Sequence, residues 1–71
     1  MEIGEFLALC REIKGHSLRQ VEKDTGLSNA YLSQIETGKI KDFSFNTAIL
    51  LCEHYSITLE RLKQARKAGT Q

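Results

Sequence analysis

Four residues of types that ligate metals or carry nucleophilic chemistry stand out first: Cys10, His16, Cys52 and His54. Zinc sites draw such residues from short paired spacings, whereas Cys10 and Cys52 lie far apart with no CxxC pair, and the histidines match no zinc pattern either. Both cysteines fall inside apolar helical runs, where a free thiol behaves as a small hydrophobe. Nucleophilic catalysis needs a base beside a serine or cysteine and a third group that orients the base, and no such set is visible. The expectation is therefore structural roles for these four, with no catalytic residue, no metal, no cofactor and no small-molecule substrate.

A different chemistry is written in "GLSNAYLSQIETGK", residues 26 to 39. On a helical wheel of about 100° per residue, Tyr31, Leu32 and Ile35 gather on one side and must face a core. Asn29, Ala30, Ser33, Gln34 and Thr37 form the other side, and each is short or a neutral amide. A helix entering the DNA major groove needs this combination: small side chains let the backbone approach, and Asn and Gln pair bidentately with adenine N6 and N7. The plainer reading is a solvated polar face without charge. The flanks favour the first. "DTGLS" makes a tight turn into this helix, with Gly26 able to take a positive φ, and a short helix, a tight turn and a second short helix make a helix-turn-helix. Ser17, Arg19, Lys39 and Lys41 bracket the neutral face with donors suited to phosphate oxygens.

The elements that must position these residues are helical throughout, with no strand alternation. A first helix is expected from Glu2 to Lys14, with Ile3, Phe6, Leu7 and Cys10 at spacings of three and four and Gly15 as its stop. Ser17 caps a second helix that turns Leu18 and Val21 inward and ends near Asp24; Ser28 caps a third that runs to Glu36 before Gly38. After a short loop, Ser44 caps a fourth helix that includes Phe45, Ala48, Ile49, Leu51, Cys52 and Tyr55. Thr58 caps a fifth, with Leu59, Leu62 and Ala65 on one side. The fold class is all-α, a compact five-helix domain over residues 1–67, with Ala68 to Gln71 as a frayed tail or the start of a linker.

Seventy-one residues allow one small domain with a thin core. The hydrophobic share of 41% is that of an ordinary globular chain. A net charge of +1 announces no partner, but residues 58–71 carry Arg61, Lys63, Arg66 and Lys67 against Glu60 alone, which permits a basic surface. No apolar run approaches the length of a membrane span and no signal-peptide core is present, so a cytoplasmic location with reduced thiols is expected.

"SLRQVEKDTGLSNAYLSQIETGK", residues 17 to 39, closely resembles the DNA-binding unit of the Cro and phage-repressor family, the XRE-type (lambda-repressor-like) helix-turn-helix. "REIKGHS" is similar to the end of that family's first helix, and "FSFNTAILLCEHYSITLERL" to its fourth and fifth, so the resemblance runs from Ile3 to Leu62. It implies base reading by Asn29, Ala30, Ser33 and Gln34. It implies phosphate contacts from Ser17, Arg19, Ser28, Lys39, Lys41, Ser44 and Asn46, and a structural salt bridge between Arg11 and Glu36. The chain departs from the family pattern at Glu22, where alanine is frequent and the side chain must bend outward or find a partner such as Lys23, at His16, and at Ser56, where glycine is common. Cys10 and Cys52 stand where leucine and alanine are usual. Without arginine or lysine on the reading face, adenine contacts and an Ala30–thymine methyl contact are expected rather than guanine readout.

Two functions follow. One is a sequence-specific DNA-binding transcriptional regulator, a Cro-like repressor on double-stranded DNA, acting as a homodimer on an inverted repeat. The fifth helix, with Leu59, Leu62 and Ala65, is the natural surface for that contact, and completing the core is an equal alternative role for these residues. The other is a protein-interaction module on the same fold, such as an antitoxin or a fragment of a larger regulator, binding through the basic fifth helix.

Overall fold

Each helix begins where a short polar side chain can take up amides that have no partner in the first turn. The computed structural model describes the backbone of residues 1–69 and the side chains of residues 1–67. Helix α1 spans Ile3–Lys14 and opens on a capping box, in which Glu2 accepts from the Glu5 amide and the Glu5 carboxylate accepts from the Glu2 amide at 3.0 Å. Helix α2 spans Leu18–Thr25 under the Ser17 hydroxyl, α3 spans Asn29–Glu36 under Ser28, and α4 spans Phe45–Tyr55 under Ser44. The amide of Arg61 donates to Thr58 Oγ1 at 3.0 Å at the start of α5, Leu59–Gly69.

The starts of α2 to α5 are the expected ones, α1 begins one residue later with Glu2 as its cap, and no strand occurs among the described residues. The ends differ slightly. Helix α2 runs one residue past Asp24, and the α5 backbone is helical through Gly69; of the expected tail, Ala68 to Gln71, the last two residues lie outside the described residues. Helix α4 ends on Ser56, whose φ of 56° is left-handed, a conformation that glycine adopts most readily at a helix end.

Val21, Ile35 and Leu51 are fully buried and form the centre of the core, which Phe6, Leu7 and Leu32 surround. From α5, Leu62 and Ala65 are buried and Leu59 is half-buried, so this face serves the core. Phe45, read as part of the apolar pattern of α4, is instead 70% exposed, because the first helical residue after the cap stands outside the inward stripe. Ile13 and Leu9 of α1 are also exposed.

One contact in the core has no side chain at all. Gly4 is buried where α1 crosses the end of α3, and a β-carbon there would lie 2.3 Å from the carbonyl oxygen of Ile35 and 2.7 Å from that of Glu36. Replacing a glycine inside a helix with alanine ordinarily stabilises by about 0.5–1 kcal/mol. Here both obstacles are backbone atoms, so Gly4→Ala is expected to destabilise by about 1–3 kcal/mol, measured as the urea midpoint. A gain in stability would mean that α1 does not sit this close to α3.

Candidate nucleic-acid interface

The turn between α2 and α3 is held by side chain as well as backbone. Thr25 Oγ1 donates to the Val21 carbonyl at 2.7 Å and accepts from the Leu27 amide at 3.2 Å. Gly26 adopts φ 81° and donates to the Glu22 carbonyl at 2.8 Å, and Ser28 then caps α3. Val21 of α2 and Leu32 and Ile35 of α3 are buried in one cluster, which sets the two helices against each other. The role of Thr25 was not legible in the sequence beyond its place before a glycine.

On α3, Ala30, Gln34 and Thr37 are exposed, and Asn29 and Ser33 are half-buried. The side chains of Asn29, Ser33 and Gln34 make no hydrogen bond among the described residues, so their amide and hydroxyl groups are uncommitted. Tyr31, expected to face the core, is half-buried, and its hydroxyl bonds Thr47 Oγ1 at 3.2 Å. Ser44 Oγ donates to the same Thr47 oxygen at 3.1 Å, while it accepts from the Thr47 amide at 3.2 Å. This Tyr31–Thr47–Ser44 chain ties the first turn of α3 to the first turn of α4. Sequence reasoning missed it, since Thr47 is buried and carries no motif.

The expected phosphate-contacting residues fall into two kinds. Arg19, Lys39, Lys41 and Asn46 are exposed and, among the described residues, engaged in no ion pair or side-chain hydrogen bond. Ser17 and Ser28 are exposed, and each Oγ accepts from a helix amide, which leaves the hydroxyl proton to donate. The Ser44 proton is already given to Thr47. Neighbouring acids are occupied: Glu36 by Arg11, Asp24 by the Gln20 amide at 3.0 Å to each oxygen, and Asp42 by Arg66 across the loop to α5. Glu22 is half-buried and pairs neither with Lys23 nor with any other side chain or amide among the described residues.

Arg11 and Glu36 meet as a fork. Arg11 Nε donates to Oε2 at 2.8 Å and Nη2 to Oε1 at 3.0 Å, with the side chains only 20% and 12% exposed. The third arm, Nη1, donates to the His16 carbonyl at 3.0 Å, so the same guanidinium also fixes the turn after α1. Tyr55 is nearby, and burial, then the Glu36 charge, push its phenol up to about 12. Burial likewise raises the Cys10 and Cys52 thiols, which keeps them protonated and poorly nucleophilic.

The two histidines, which match no zinc spacing in the sequence, meet in the fold. His16 Nδ1 lies 3.1 Å from His54 Nε2, and His54 Nδ1 lies 3.9 Å from Asp24 Oδ2. Burial, opposed by Asp24, lowers the His54 pKa.

The family model described as helix-turn-helix domain matches residues 2–65. Among curated proteins, the HTH-type transcriptional regulator SlrR of Bacillus subtilis (strain 168) is 36% identical over 58 residues, which is 82% of this chain and 36% of SlrR. The chain thus spans about a third of that regulator's length. No solved structure matches. No helix among the described residues is long and apolar enough to cross a membrane.

Removing one partner of the fork strands the other, and Glu36→Gln is expected to cost about 2–4 kcal/mol, just below the loss for a fully buried pair. Denaturant unfolding measures it; a loss below about 1 kcal/mol would reduce the fork to an ordinary surface pair. For His54, a folded pKa below the unfolded value means that the unfolded chain binds more protons. The contribution is therefore complete above the unfolded pKa of about 6.5 and is lost as pH falls through the lowered folded value. The urea midpoint should drop from pH 7.5 to pH 5, and His54→Gln should flatten that part of the profile.

Proposed function

The chain belongs to the helix-turn-helix domain family, and we propose that it is a sequence-specific DNA-binding transcriptional regulator, of the Cro-like XRE type, that reads the major groove with α3. One observation carries this reading: a helix face of uncommitted neutral side chains, Asn29, Ala30, Ser33 and Gln34, flanked by the unpaired cations Arg19, Lys39 and Lys41. The amides match adenine edges, and the Ala30 methyl matches a thymine methyl. The cations, with Ser17, Ser28 and Asn46, supply the sequence-independent grip on phosphates. Ser44 joins them only by giving up its bond to Thr47.

A single eight-residue helix reaches few base pairs, so a homodimer acting as a repressor on an inverted repeat is the form that gives adequate affinity. A cytoplasmic location follows from that role. Enzymatic activity is not part of the proposal, since the buried thiols are held protonated. The competing reading, a protein-interaction module using the basic face of α5, has less support: Arg66 is paired with Asp42, and Arg61 lies 4.7 Å over the Phe6 ring.

Selection of retained sites from random duplex DNA tests the proposal. Enrichment of an inverted repeat with half-site centres about 10 base pairs apart is expected; retention without sequence preference would overturn base reading. Asn29→Ala and Gln34→Ala should each weaken specific binding by about 1–3 kcal/mol and relax preference at one position, whereas Lys41→Ala should weaken all sequences alike and lower the salt slope by about one.

A further inference from the structure

His16, Asp24 and His54 come from three separate parts of the fold: the turn after α1, the last turn of α2 and the last turn of α4. One nitrogen of each imidazole and one Asp24 oxygen all lie within 4.8 Å of one another. We propose that these three side chains form a binding site for a divalent transition-metal ion of the zinc, cobalt or nickel class.

The geometry is close to what such an ion requires. Zinc–nitrogen bonds of about 2.0–2.1 Å at tetrahedral angles put ligand atoms about 3.3 Å apart, and the His16 Nδ1 and His54 Nε2 atoms stand at 3.1 Å. Both imidazoles are held in place. The His54 side chain is 8% exposed, and the His16 backbone is fixed by the Arg11 guanidinium. Asp24 is the member that must move, and it can: its side chain is 38% exposed and is held by Gln20 alone apart from its distant contact to His54. Two nitrogens and one carboxylate oxygen suit borderline ions over calcium or magnesium, which prefer oxygen. Three protein ligands leave a fourth position for water.

The charged groups facing the pair are Asp24, whose carboxylate attracts a cation, and Lys14 at the end of α1, whose charge opposes one. An ion held here would clamp the end of α2 to α4 and make the seating of the helix-turn-helix depend on metal supply.

The test uses the tag-free chain after treatment with a chelator. Titration with Zn2+ should show one equivalent bound and a raised unfolding midpoint; at zinc a hundredfold above Kd the folded-to-unfolded ratio rises about a hundredfold. Co2+ should give ligand-field bands of a nitrogen–oxygen site with no thiolate charge-transfer band. Asp24→Asn, at an exposed position that folding tolerates, and His16→Gln should each weaken Zn2+ binding at least about tenfold, with circular dichroism confirming the fold. Cys10→Ser should leave binding unchanged. No uptake at millimolar Zn2+ or Co2+, or full affinity in folded Asp24→Asn and His16→Gln, would overturn the site.

Discussion

The placement of α3 depends on the crossing where α1 meets its last turn. Gly4 and Arg11 stand seven residues apart on α1, about two helical turns, and so share one side of it. Both address Glu36. Gly4 lets the two backbones come together over its carbonyl, and Arg11 holds its carboxylate in a two-pronged grip. A side chain at Gly4 would lift α1 away and carry the guanidinium with it. The rest of the fold is arranged around this seat: Leu32 and Ile35 of α3 close over Val21, and the spare arm of Arg11 fixes the turn from which α2 departs.

The opposite end of α3 is set by a separate device. The Tyr31 hydroxyl reaches Thr47, which in turn takes the proton of the Ser44 cap, so the start of α4 is registered against the start of α3 by oxygen contacts rather than by packing alone. Burying Thr47 is tolerable because its hydroxyl is satisfied from both sides, and no buried side-chain polar atom among the described residues lacks a partner. The loop bearing Lys39 and Lys41 therefore spans two fixed points, and Arg66 neutralises the one acid it contains.

Much of this was legible in the sequence, for reasons of period and chemistry. Ser17, Ser28, Ser44 and Thr58 announce helix starts because their hydroxyls accept amides locally, and Val21, Leu32 and Ile35 announce the core because their spacing repeats the helical turn. The Arg11–Glu36 pair spans 25 residues, and only a family resemblance pointed to it. Other features stayed hidden, beyond the Thr25 turn bonds and the Tyr31–Thr47–Ser44 chain. Gly4 reads as a helix weakness until its neighbour is known, Phe45 looks apolar but precedes the inward stripe, and the His16–Asp24–His54 group is assembled by folding from residues that no local pattern joins. Zinc motifs are recognisable when their ligands are close in sequence; these are not.

The close seat of Gly4 has an electrostatic consequence for the helix it touches. The peptide dipoles of α3 leave about half a negative charge at its carbonyl end and about half a positive charge at its amide end. Ile35 and Glu36 present the negative end to the first turn of α1, whose amides at Ile3 and Gly4 the capping box does not take up, while the Arg11 cation offsets the Glu36 carboxylate that would otherwise add to it. The amide end, at exposed Ser28 and Ala30, is covered by nothing comparable. The fold thus offsets the pole of α3 that repels an anion and leaves the pole that attracts one under the neutral Ser28 cap alone. That bias is worth about 0.3–1 kcal/mol to an approaching anion before any charged side chain contributes.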